Sequence, residues 1–420
     1  MANELLTSIL EGGIRSPNFF NGRLLSGEDL NLEKAANRDA RRHLGRALGD
    51  GVAFGLDVVE SVDLSSVDQP VVTITPGLAV NRRGQTLVLT TKTDISLVRS
   101  LESEGGNGQT FDDCKPPSPT VYVAGAGVYL LVVCPATGKE GRAPVSGLGN
   151  VPASCNSRYT VECLQFRLVK LDVDDEDLTD SDHLRNRLAY KCFGLKDDNY
   201  ADYVNKPFSE HESGYGLLDD LRPKILTNCD VPLALLYWTS TDGIAFIDAW
   251  SVRRGITPPG SEDDWLPLTG ARRKREGEAM FNQFQGQIET IRQKEAPIGL
   301  IEAKSRFDYL PPAGIIPFST PKTSRTFDMN FFKGLTVRDP VFINGEKLQS
   351  LICKSFSYSP IDLGSEEMIW LYRVRENGEA INDGKLALSN GYLVFSTGHI
   401  HYQGAAQFDL SYWDYSNYAG

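Results

Sequence analysis

Six runs dense in β-branched and apolar residues lie between Gly51 and Val252, and they constrain the fold more than any other feature of the chain. They are GVAFGLDVV (from Gly51), VVTITPGLAVNRRGQTLVL (from Val71), TVYVAGAGVYLLVVC (from Thr120), CLQFRLVKLDV (from Cys163), VPLALLYWT (from Val231) and GIAFIDAWSV (from Gly243). Residues of this kind at strand spacing, bounded by turn signals, form strands. The tetrad NRRG (Asn81–Gly84) fits a hairpin turn, with Gly84 free to take positive φ, and STDG before Gly243 fits another. The middle of the chain is therefore expected to be antiparallel β. Long loops should interrupt it, among them the Gly/Pro/Ser-rich stretch CPATGKEGRAPVSGLGNVPASCNS from Cys134. No tandem repeat of fixed period is visible, which argues against solenoids and propellers.

Two helices flank this β region. Ser26 can cap a helix running to Leu48, with Glu28 and Asp29 in its first turn and Arg41, Arg42 and Arg46 near its end, as the helix dipole favours. Its apolar stripe (Leu30, Ala36, Ala40, Leu44, Ala47) is thin, so it calls for a partner surface. Gly49–Gly51 stop it. The second helix is expected over Gly277–Glu295, where Phe281, Phe284, Ile288 and Ile291 are spaced three, four and three apart. That is a heptad seam about two heptads long, weak as a free coiled coil. A helix packed on its own domain and a subunit contact both remain open.

The segment RFDYLPPAGIIPF (Arg306–Phe318) is both proline-broken and apolar. Proline fixes φ and removes a backbone donor, which excludes a helix interior and a central strand. Its aromatics require a surface to pack on. After it, short strands and turns continue into an aromatic-rich tail. The fold class is thus mainly β with a few helices: a multi-domain chain of antiparallel β domains joined by a helical segment. The divisions are residues 1–50 (arm and helix), 51–257 (β domain), 258–305 (helical connector) and 306–420 (proline-rich joint and second β domain).

Composition narrows the function classes. The formal net charge of -12 repels phosphate backbones, so nucleic acid is not an expected partner, although ARRKRE (Ala271–Glu276) is a local basic patch. The seven cysteines (Cys114, Cys134, Cys155, Cys163, Cys192, Cys229, Cys353) lie singly, without a CxxC spacing. They are read as buried thiols of a protein made in the cytoplasm rather than as a zinc or redox centre. The N-terminus, MANELLTSILEGG, lacks a basic region followed by a long apolar one, so no secretory signal is expected.

Catalytic and metal motifs are weak. The acidic run LDVDDEDLTDSDH (Leu171–His183) fails as a calcium loop counted from Asp172: the sixth position is Asp177 rather than Gly and the twelfth is His183 rather than Glu. It is read as a solvated loop. Of the five histidines, His399 and His401 share a strand face, a spacing that serves a metal or a plain surface pair. No nucleophile elbow, phosphate loop or Rossmann fingerprint is present. No catalytic residue, cofactor or metal ligand is assigned.

Several segments taken in order resemble one known group. SPNFFNGRLLSGEDLNLEKAANRDARRHLGRALGDGVAFGLDV carries an aromatic-Gly-x-Leu-Leu segment leading through Asp29 and Leu30 into a helix. The glycine-rich strand (Gly51, Val52, Gly55, Leu56) and the hairpin with Pro76, Gly77, Ala79 and Gly84 follow. Then come LAYKCFG, VPLALLYW, IAFIDAWSVRRGI, YLPPAGIIPF, SFSYSPIDL and IWLYRVREN. Together these resemble accessory structural proteins of contractile injection systems, the phage-tail-like particles. One departure is the pair Ala35 and Ala36, where that family has an aromatic.

The resemblance implies a non-enzymatic, cofactor-free subunit attached at or near the baseplate as a fibre, cage or anchor. Its partners would be other subunits of the particle and two further copies of itself, in a homotrimer. It would be made in the cytoplasm and then be released with the particle or anchored at a membrane. Phe19, Phe20, Leu24, Leu25 and Leu30 are the candidate docking residues. Phe281, Phe284, Ile288, Ile291, Tyr309, Leu310, Pro311 and Pro312 are the candidate subunit contacts. Trp413 and Tyr415, with Tyr412 and Tyr418, are candidates for contact with a target cell or membrane surface, which makes a receptor- or glycan-binding tail protein the alternative. A polysaccharide hydrolase is a third reading, without a carboxylate pair that stands out.

Overall fold

The computed structural model describes residues 13–98, 108–110, 125–144, 155–194, 216–222, 224–256, 271–294, 301–317, 330–338, 340–375 and 392–400. The chain is mainly β with a few helices, multi-domain, and built from several small sheets.

Helix α1 (Gly27–Leu48) starts at a capping box: the Ser26 hydroxyl accepts from the Asp29 backbone N–H at 3.1 Å, and Asp29 accepts from the Ser26 N–H at 3.0 Å. Its partner surface is the hairpin turn at Gly84. A Cβ on Gly45 would sit 2.1 Å from the Gly84 carbonyl oxygen, and one on Gly84 would sit 2.0 Å from that of Arg42. Two glycines therefore bring helix and turn into backbone contact, where an apolar stripe would normally do the packing.

Strands β1 (Gly51–Gly55), β2 (Val58–Glu60), β3 (Val71–Ile74), β4 (Gly77–Val80), β5 (Thr86–Leu89) and β6 (Thr93–Ser96) make two three-stranded antiparallel sheets, ordered β1-β4-β5 and β2-β3-β6. The NRRG turn joins β4 to β5. Asn81 Oδ1 accepts from the N–H groups of Arg83 (3.0 Å) and Gln85 (2.9 Å), and Gly84 takes φ 76°.

The central sheet holds β7 (Gly108–Thr110), β8 (Gly127–Pro144), β9 (Cys155–Lys170), β10 (Val231–Thr239) and β11 (Gly243–Asp248). Between β9 and β10 lie α2 (Asp175–Thr179), α3 (Ser181–Cys192) and α4 (Leu217–Asp220). Tyr129, Leu131 and Val133 of β8 pack towards the N-terminal sheets, and Val128, Leu130 and Val132 towards α3. A strand buried on both faces reads as a continuous apolar run, which is why this one was legible in the sequence.

Three expectations fail here. The stretch from Cys134 is strand through Pro144 and again from Cys155, as a ribbon paired from Tyr129↔Lys170 out to Pro144↔Cys155. Its outer part is exposed on both strands, so ladder hydrogen bonds hold it and no apolar pattern announces it. The acidic run is also not a simple loop: Asp175–Thr179 is helical and Asp180 precedes α3. Asp177 within it pairs with Lys191 at 2.7 Å and with Arg187 at 3.5 Å. Cys229 is disulfide-bonded, so the reading of seven thiols does not hold for it.

Helix α5 (Ala271–Lys294), a 3-10 turn (Ala303–Ser305), β12 (Tyr309–Leu310), β13 (Ala313–Pro317), β14 (Val341–Asn344), α6 (Gly345–Ser355), β15 (Ile361–Asp362), β16 (Ile369–Arg375) and β17 (Tyr392–Thr397) complete the chain. The sheet order is β13-β17-β16-β14, with β14–β16 parallel and the other pairs antiparallel. Proline-bearing β13 lies at its edge, as its missing donor requires. Helix α5 shares one core with this sheet.

Candidate docking surface

The arm before α1 presents its apolar side chains to solvent. Phe19, Phe20, Leu24, Leu25 and Leu30 are 50%, 64%, 92%, 57% and 57% exposed. A turn at Asn21–Gly22 (φ 93° at Gly22) closes with Arg23 N–H donating to the Phe20 carbonyl at 3.2 Å. The Arg23 guanidinium then donates to the Asn18 carbonyl at 2.6 Å and pairs with Asp29. Hydrogen bonds from the Ser26 backbone and hydroxyl, with Arg23 beside it, hold the Asp29 carboxyl below its ordinary range despite partial desolvation. Asp29 thus caps the helix and anchors the arm together, fixing the backbone while Leu24 and Leu25 point outward.

Leu44 and Leu48, on the same face of α1 as Leu30, are also exposed, as is Leu32 on the opposite face. On the Leu32 face of the helix, a groove of about 320 Å³ runs between Ile14 of the arm and Leu32, Ala35, Ala36 and His43 of α1. The small side chains of Ala35 and Ala36 line this space. No described part of the chain covers the row, and single exposed leucines are ordinary whereas a run of them marks a contact surface.

The second set of candidates lies elsewhere. Phe284, Ile288 and Ile291 are 1%, 2% and 6% exposed inside their own chain's core, against Phe307, Phe331 and Phe395. Phe284 meets the Phe307 and Phe395 rings at 5.3 Å each. Phe281 is half-buried, its ring 5.9 Å from Phe356. Phe284, Ile288 and Ile291 are therefore packed within their own chain, which corrects their reading as subunit contacts; Phe281 is half-covered.

Leu310, Pro311 and Pro312 are buried as well. Tyr309 stacks on Tyr190 of α3 at 5.0 Å. Asn186 clamps the same turn: its Oδ1 accepts from the N–H groups of Asp308 (2.9 Å) and Tyr309 (3.0 Å), and its Nδ2 donates to the Tyr309 carbonyl at 3.0 Å. The proline segment is an internal joint between α3 and the C-terminal sheet. Nothing in the sequence marked Asn186, a mid-helix asparagine set between Arg185 and Arg187. Trp413, Tyr415, Tyr412, Tyr418 and His401 lie outside the described residues.

The buried polar groups have packing roles. Arg185 donates to Asp248 at 2.9 Å, where Gln283 also donates at 3.2 Å, and this joins α3 and α5 to the end of β11. Arg167 donates to Asp230 at 2.6 Å. Burial pushes the Cys134 and Cys192 thiols up to about 12, away from nucleophilic use. Among the described residues no His/Cys/Asp/Glu cluster is suited to a metal, and no helix is long and apolar enough to cross a membrane. Protein-family models give no match to the chain, and a search of curated proteins finds no relative.

Proposed function

We propose that this chain is a structural subunit of a contractile injection system, attached at or near the baseplate as a fibre-, cage- or anchor-like component. The observation that carries the reading is the row Phe19, Phe20, Leu24, Leu25 and Leu30, held outward by the Arg23–Asp29 anchor and covered by no described part of the chain. The ordered resemblance of segments supplies the kind of particle. A rigid arm whose apolar side chains face solvent suits permanent seating on another subunit, since obligate contacts are apolar and pre-ordered backbone loses little entropy on docking. The homotrimer that the resemblance implies has to use a surface other than the α5 seam.

The test is to tag the chain in the cell that makes it, isolate sheathed particles by sedimentation, and locate the tag by electron microscopy. Label at one end of the particle supports the proposal. A chain that never sediments with particles refutes it.

A further inference from the structure

We propose that His183 is a proton-operated latch on the joint between α3 and the segment leading into the C-terminal sheet, closed when its imidazole ring is doubly protonated. His183 lies near the start of α3 and faces the 3-10 turn. Its Nδ1 is 3.0 Å from Asp180 Oδ1, and its Nε2 is 2.9 Å from the Lys304 carbonyl oxygen. Both partners are acceptors. A neutral imidazole has one N–H, so one of its two nitrogens would aim a lone pair at an oxygen; only the imidazolium donates to both.

Asp180 cannot supply the missing proton. Its other oxygen takes a 2.9 Å contact from Arg187, and the hydrogen bond from His183 with the Arg187 charge holds its carboxyl below the ordinary range. The charges around the ring are Asp180, Asp182 and Arg187 from the start of α3, and Arg306 and Asp308 from the facing segment. Arg187 also spans to Asp308 at 2.6 Å, and Arg306 pairs with Asp182. Desolvation alone would lower the ring's pKa, but the bonds to Asp180 and Lys304 and the charges of Asp180 and Asp308 outweigh it and raise it.

Other ties across this joint include the Asn186 clamp, the Tyr190–Tyr309 stack and the pairs Arg187–Asp308 and Arg306–Asp182. Histidine is the side chain whose ordinary charge change falls between about pH 5 and 8. Because the folded pKa of His183 is raised, its stabilisation is fully present below the unfolded value of about 6.5 and is lost as pH rises through the folded value. The latch therefore loosens on the alkaline side while the clamp keeps the joint assembled. This inference stands on the joint's geometry and is independent of the particle assignment.

The full chain is labelled with 15N-histidine, and the long-range proton–nitrogen correlations of the imidazoles are followed with pH. The signal that disappears in His183→Gln is His183. The expected result is a doubly protonated ring whose titration midpoint lies above 6.5, with amide protection at Ser305–Phe307 falling as it titrates. Urea midpoints of the wild type then fall between pH 6 and 8 by more than those of His183→Gln. A ring that is neutral at pH 6, or identical pH dependence of the two proteins, overturns the proposal. If His183→Gln does not fold, the wild-type titration, assigned through its contacts to Asp180 and Lys304, decides alone.

Discussion

Phe284→Ala removes the ring at the centre of the C-terminal core. Phe284 is 1% exposed and touches Phe307 and Phe395 through ring contacts at 5.3 Å. A buried phenylalanine withdraws about 150–250 Å² from water, and at about 25 cal/mol per Å² this gives roughly 4–6 kcal/mol before the alanine's own share is returned. Measured Phe→Ala substitutions in cores cost about 3–5 kcal/mol, so about 4 kcal/mol is the working figure. For a cooperative unit of this size that lowers Tm by about 8–16 °C. The assay is calorimetry of wild type and variant over a hundredfold concentration range. Because the seam is buried within one chain, the drop should be the same at every concentration. A variant whose Tm stays within about 2 °C of wild type, or whose loss shrinks with concentration by mass action, would show that the seam belongs between subunits.

Three further outcomes are expected. Gly45→Ala drives a Cβ into the Gly84 carbonyl and undocks the end of α1 at a net cost of about 1–2 kcal/mol, the helix-propensity gain offsetting part of the overpacking. Gly27→Ala, with open space around it, should be neutral, and equal urea midpoints for the two variants would refute the glycine contact. Asp248→Asn leaves buried Arg185 without its counter-charge and should cost about 3–5 kcal/mol in denaturant titrations, whereas a loss below about 1 kcal/mol would remove the pair from the account of how α3 and α5 are joined. Iodoacetamide at pH 8 should modify exposed Cys353 and spare Cys134 and Cys192 in the native chain, since thiols pushed up to about 12 hold only ~0.01% thiolate there; mass spectrometry of the labelled peptides checks it.

What the sequence disclosed follows the physics of each element. The β8–β10 core was legible because burial on both faces demands unbroken apolar runs. The outer β8–β9 ribbon was not, because its stability lies in backbone pairing, which Lys139, Glu140, Arg158 and Thr160 permit but do not signal. Heptad spacing in α5 correctly marked an apolar face, but periodicity says that a face is covered and not by what. The covering residues, Phe307, Phe331 and Phe395, are distant in sequence and reach α5 through sheet topology. The proline segment was excluded from helix and central strand, and it is an edge strand and a buried joint. The clamp that holds it, Asn186, carries no local signature. The arm is the reverse case: Phe19, Phe20, Leu24 and Leu25 were visible as apolar residues, and the fold adds that they point outward from a fixed backbone.

The most direct test of the attachment surface is co-sedimentation of purified full-length protein with particles stripped of it, comparing wild type with the double variant Leu24→Asp, Leu25→Asp. Both side chains are exposed, so the variant should keep the wild-type Tm while losing most of its particle binding. Undiminished sedimentation of a folded variant would contradict the claim that the outward-facing arm seats this subunit.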